Sequence, residues 1–112
     1  MSKIVVVSDV PSEDKIIHEI QVGTVVLIGL NNKLNSLDRK INNAKFDYQK
    51  DFYCMQLSNT HTIWLSAAKS LLKSVDQYQG LEREKNLPVN LSFHKLGVYL
   101  RSEIKKIDEM LK

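Results

Sequence analysis

At 112 residues, with 43% apolar residues, the chain has about the size of one domain and enough apolar content to bury a core without disulfide or metal staples. Charged residues at 26% exclude the composition of a disordered chain, and a lone cysteine, Cys54, excludes an intrachain disulfide framework and a cysteine-based zinc cage. The net charge of +3 invites a nucleic-acid reading, yet acids interleave with the basic residues, as in Lys105-Lys106-Ile107-Asp108-Glu109, which is the pattern of a solvated helix face.

The N-terminal segment lacks the three-part design of a secretory signal, and the longest apolar run, Val25 to Leu30, is far short of the roughly 18 residues that cross a bilayer. A soluble, cytoplasmic protein with no membrane association is the expectation. Basic residues are mostly lysine, and Asn, Ile and Ser are plentiful, an amino-acid bias that fits an AT-rich genome.

Lys3 to Ser8 is a β-branched run, Asp9-Val10-Pro11-Ser12 is turn chemistry, and Ile16, His18, Ile20 and Val22 alternate at period two. Residues 1–23 therefore read as a β-hairpin or extended arm. From residue 24 the period changes: Leu27, Leu30, Leu34, Leu37, Ile41, Ala44 and Tyr48 follow alternating steps of three and four, the rhythm of a helix that packs along a seam. Continued through Phe52 and Met55, the pattern predicts a helix over 25–57, about 50 Å long at 1.5 Å per residue. Val25 to Gly29 would also suit a third strand.

Ser58 to Thr62 supply capping residues that predict a break, after which Trp64, Leu65, Ala68, Leu71, Leu72, Val75 and Tyr78 form a wide apolar stripe. Pro88 requires that this second helix ends by about Leu87. Asn90 or Ser92 then caps a third helix along Phe93, Gly97, Leu100, Ile104, Ile107 and Leu111. The fold class is mainly α: a three-helix, coiled-coil-like bundle with an N-terminal β arm (1–23) and a helical region (24–112) in a single domain. The alternative is α+β with a three-stranded N-terminal sheet. The first helix is longer than the third, so either it breaks near Lys45 to Asp51 or a second subunit covers the excess seam.

Signals for chemistry are weak. His18, His61 and His94 are isolated, with no His-Glu-x-x-His helix or cysteine–histidine spacing, and surface or helix-end roles suit them better than catalysis. Asp47 and Asp51 would share a helix face, the four glycines are scattered outside any phosphate loop, and no serine sits in a Gly-x-Ser-x-Gly elbow. No catalytic, cofactor-binding or metal residue is assigned, and no cofactor is expected. The polar aromatics Tyr48, Tyr53, Trp64, Tyr78 and Tyr99 are the most suggestive set, since Tyr and Trp bury much area at low rotamer cost. Against that stands a core role for Trp64 and Tyr78.

The leading expectation is a non-enzymatic protein that self-associates as a dimer or larger and binds another macromolecule as an adaptor, inhibitor or assembly component. That would suit an accessory gene of a phage or other mobile element. Its interaction residues are Leu27, Leu30, Leu34, Leu37 and Ile41 on the first seam, with Tyr48, Tyr53, Tyr99, Arg101 and Lys105. The alternative is a nucleic-acid binder that uses Lys95, Arg101, Lys105 and Lys106 with Lys69 and Lys73 as a phosphate-contacting face. A third expectation is an anionic small molecule held between subunits by the tyrosines and Arg101.

Overall fold

The computed structural model describes residues 12–112. They form three helices, α1 (Glu13–Asn43), α2 (Asp47–Lys85) and α3 (Leu91–Met110). There is no strand among the described residues.

The helical reading of the chain holds and the arm does not, as far as it is described. Helix α1 starts twelve residues before the predicted position at 25. Ser12 is its N-cap: the hydroxyl accepts the Lys15 N–H at 3.2 Å, and Glu13 and Asp14 place negative charge in the first turn, where the helix dipole favours it. Ile16 and Ile20, four residues apart, are both buried, and Gly23 and Leu27 continue the same line. The apparent period-two alternation was therefore one half of a helical stripe. The remainder of the β arm, residues 1–11, lies outside the described residues. Val25 to Gly29 is helix, so the three-stranded alternative fails where it can be seen.

The first helix does not run to residue 57. It ends at Asn43, and the chain reverses through Ala44, Lys45 and Phe46 into α2, where the Gln49 carboxamide accepts the Lys45 N–H at 3.4 Å. The break foreseen near Lys45 thus replaces the 33-residue helix. The second predicted break, at Ser58 to Thr62, is absent. Thr60 donates its hydroxyl to the Gln56 carbonyl at 2.7 Å and Thr62 to the Ser58 carbonyl at 3.2 Å, so the capping residues spend their side chains inside the helix. Thr60 is also buried, so packing holds in α2 a segment whose local preference is to cap.

Helix α2, about 58 Å long at 1.5 Å per residue, lies beside both of the others. Its contacts with α1 are Asn31 with Trp64, Gly23 with Leu71, Glu19 with Ser74 and Lys40 with Tyr53. These fix an antiparallel register in which each residue of α1 sits level with the α2 residue whose number brings the sum to about 94. Helix α3 is also antiparallel to α2, joined to it at His94–Glu82 and Arg101–Asp76. It covers only the C-terminal half of α2. The core consists of Ile16, Ile20 and Leu27 from α1, Trp64, Ala68, Leu71, Val75, Tyr78 and Leu81 from α2, and Leu100 from α3. Trp64 satisfies its buried indole N–H by donating to Asn31 Oδ1 at 2.8 Å. The distal half of the hairpin, α1 beyond about residue 30 and α2 before about residue 64, has no third helix.

Two substitutions test this packing in opposite directions. Leu100→Ala removes a fully buried side chain and is expected to cost about 2–5 kcal/mol in denaturant unfolding. Gly80→Ala meets no atom within 4 Å and is expected to stabilise the helix by about 0.5–1 kcal/mol.

Candidate interaction surface

Two places on the molecule concentrate polar or apolar groups beyond what the core requires. The first is the α2–α3 junction. Glu82 is buried, its Oε2 accepts the Asn90 backbone N–H at 2.6 Å, and its Oε1 lies 3.1 Å from His94 Nε2. Asn90 in turn caps α3, its Oδ1 accepting the Phe93 N–H at 3.1 Å, and Asn86 takes the left-handed backbone conformation (φ 55°) that ends α2. Tyr78 sits behind this turn with its ring edge-on to Phe93, centroids 4.9 Å apart. Burial, followed by the charges of Glu13 and Glu82, raises the Tyr78 pKa above 10.0. These groups are committed to one another, which makes the junction a structural clasp.

The second place is the open side of the α1–α2 hairpin. Residues 20–32 of α1 and 52–68 of α2 contain no Asp, Glu, Lys or Arg. In this register the two stretches are staggered, and they lie alongside each other where residues 26–32 face 62–68, in the middle of the hairpin. At steps of three and four, Phe52, Gln56, Asn59, Ile63, Ala67, Ser70 and Ser74 share one line of α2, while Val22, Val26 and Gly29 share one of α1. Val22, Val26, Ala67, Ser70 and Ser74 border a common shallow groove on the side turned away from α3. Although they belong to a charge-free belt, Val22, Val26, Phe52, Met55 and Ile63 are all exposed, Ile63 by 54%.

The residues singled out from sequence divide between these environments. Leu27 and Leu37 are buried, and Leu30, Leu34 and Ile41 half-buried, Leu27, Leu30 and Leu34 within the intrachain core. Tyr48 is exposed at the hairpin tip and stacks on Phe46, with ring centroids 5.7 Å apart. Tyr53 is half-buried beneath the Lys40 ammonium. Tyr99 and Lys105 are exposed on α3, and Arg101 is paired with Asp76. No single surface gathers Tyr48, Tyr53, Tyr99 and Arg101. Of the basic residues proposed to face phosphate, Arg101 and Lys106 already meet Asp76 and Glu103. Val22, Val26, Met55 and Ile63 were missed. The available signal was the missing charge over 20–32 and 52–68, which a search for apolar periodicity does not register.

No three His, Cys, Asp or Glu side chains among the described residues come together as a metal-ligand set, and no described helix is long and apolar enough to cross a membrane. Comparison with protein-family models, with curated proteins and with solved structures finds no match. The fold and surface therefore define a class in physical terms alone: an antiparallel helical hairpin, buttressed over half its length by a third helix, with a charge-poor side open to solvent.

The clasp yields two expected outcomes. Glu82→Ala leaves the Asn90 N–H without its carboxylate and is expected to cost about 1–3 kcal/mol in unfolding free energy, whereas Ser92→Ala, on an exposed position, leaves it nearly unchanged. The raised Tyr78 pKa means that its contribution to stability is complete below pH 10 and is lost as pH climbs through the folded-state value. Unfolding measured from pH 8 to pH 11 is expected to show a steeper alkaline loss in the native chain than in Tyr78→Phe.

Proposed function

We propose that this protein is a non-enzymatic helical module that self-associates and acts by binding another macromolecule, as an adaptor, inhibitor or assembly component. The observation that carries this reading is the charge-free belt in the middle of the hairpin with its exposed Val22, Val26, Met55 and Ile63. Solvent-facing helix positions ordinarily carry charge, whereas the centres of protein interfaces are depleted of it and enriched in aromatic residues and Met. Full burial of a Val, Ile, Met or Phe side chain stabilises by roughly 1.5–3 kcal/mol, so several left exposed along one side of the hairpin constitute an unused driving force. The half-length of α3 adds a second support, because it leaves the distal hairpin as only two helices, and two helices bury one seam each.

The test is the solution mass of the intact chain by light scattering across a range of concentrations, with absorbance at 260 and 280 nm recorded together. A species of at least two chains, free of nucleic acid, is expected. The mass of a single chain at every concentration would contradict self-association, and a peak rich in nucleic acid would transfer the function to the lysines of α2 and α3.

A further inference from the structure

Resting on that self-association reading, we propose that a second copy of this chain occupies the face of the α1–α2 hairpin turned away from α3, antiparallel to the first about a two-fold axis near Leu30 and Trp64. Helix α3 already fills one side of α2, where Gly97 approaches Val75. The other side presents Val22 and Val26 from α1 with Phe52, Ile63 and Ala67 from α2, and Met55 at their flank. In the hairpin register these run from the level of residue 22 to that of residue 42 in α1, about 30 Å, or between five and six helical turns. Between the two helices the groove is bordered by small residues, Gly23, Ala67, Ser70 and Ser74, over which a facing helix can approach closely.

Charge at the two ends of this face selects the occupant and its direction. Glu19, Val22, Val26, Gly29, Lys33, Ser36 and Lys40 follow one another at steps of three and four, so they share a line of α1. Glu19 lies eleven residues to one side of Leu30 and Lys40 ten to the other, about 16 and 15 Å from the axis. A two-fold operation about that axis brings the acid of each copy level with the lysine of the other, twice over. Lys33 comes level with the apolar stretch around Val26 of the second copy, where its methylene stem covers apolar surface and its ammonium reaches the rim. A parallel copy would set Glu19 against Glu19 and Lys40 against Lys40 instead. The face is thus complementary to itself in one direction only, and two hairpins joined this way form a four-helix layer with each α3 on the outside.

Val26→Glu and Ile63→Glu test the face, since both side chains are already about half exposed and the single chain tolerates a charge there. Each is expected to reduce the solution mass to one chain with helix content unchanged. Glu19→Lys and Lys40→Glu test the direction. Each alone is expected to weaken association by about ten-fold or more, because two symmetric pairs become repulsive together, and an equimolar mixture of the two is expected to restore it as the mixed pair. A native chain that is single at all concentrations overturns both this proposal and the reading on which it rests. Association that survives Val26→Glu and Ile63→Glu overturns this face and leaves self-association standing. Loss with those variants but no recovery in the mixture overturns the antiparallel arrangement. A single chain that associates only once residues 1–11 are removed shows that the face is covered by the chain's own N-terminal segment, which also overturns the proposal.

Discussion

Helix α2 buries two adjacent lines of side chains at once, one against α1 and one against α3, and the rest of the structure depends on that helix remaining unbroken. Trp64 and Leu71 lie toward α1, whereas Tyr78 meets Phe93 and Val75 lies beneath Gly97 of α3, with Ala68 and Val75 wholly removed from solvent. The other two helices share α2 rather than each other: each packs against it, and no pairing joins α1 to α3. Continuity of α2 through Ser58 to Thr62 is what places Trp64 on the same axis as Phe52 and carries the seam from the clasp at Glu82 to the hairpin tip. The threonine hydroxyls make this possible by bonding back to the preceding turn, so neither Thr60 nor Thr62 is left unmatched where the chain would otherwise cap.

What the amino-acid sequence makes legible follows the strength of local chemistry. Pro88 and a cap at Asn90 or Ser92 mark the α2–α3 link in the sequence because proline cannot continue a helix and a capping side chain satisfies the first free N–H groups of the next, and Asn90 is the residue that does so. The heptad rhythm from Leu27 to Ile41 reads correctly as a seam. Elsewhere local and tertiary preferences disagree. Ile16, His18, Ile20 and Val22 satisfy a period of two as well as part of a period of 3.6, and only their burial against α2 separates the two. The reversal at Ala44 to Phe46 contains neither glycine nor proline, so nothing local announces it, whereas Ser58 to Thr62 carries every sign of a helix start and is passed over. Candidate interaction residues were harder still. Leu27 and Leu37 look like an interface because they form a seam, and that seam is intrachain. The outer face is identified instead by what it lacks, charge over two stretches that become neighbours only once the hairpin register is known.

The two sides of the hairpin consequently have different physical characters. On the α3 side, polar groups are paired at both ends of the contact, His94 with Glu82 and Arg101 with Asp76, and Val75 and Leu100 between them are wholly enclosed. On the other side a belt poor in charge remains in water, bounded along α1 by Glu19 at one end and by Lys33, followed by Lys40, at the other. A solvated surface gains nothing from this arrangement, whereas an interface gains apolar burial at its centre and complementary charge at its margin. Association through this side would also supply the distal hairpin with the neighbours that α3 is too short to provide.

Amide hydrogen exchange of the intact chain, followed by mass spectrometry at a low and a high protein concentration, addresses this division of the surface most directly. If the charge-poor side is where the protein meets its own copy, peptides covering residues 20–32 and 52–68 gain protection as concentration rises, while those from α3, residues 91–110, exchange at the same rate in both samples. Exchange that is independent of concentration throughout, or protection that grows on α3 instead, would contradict it.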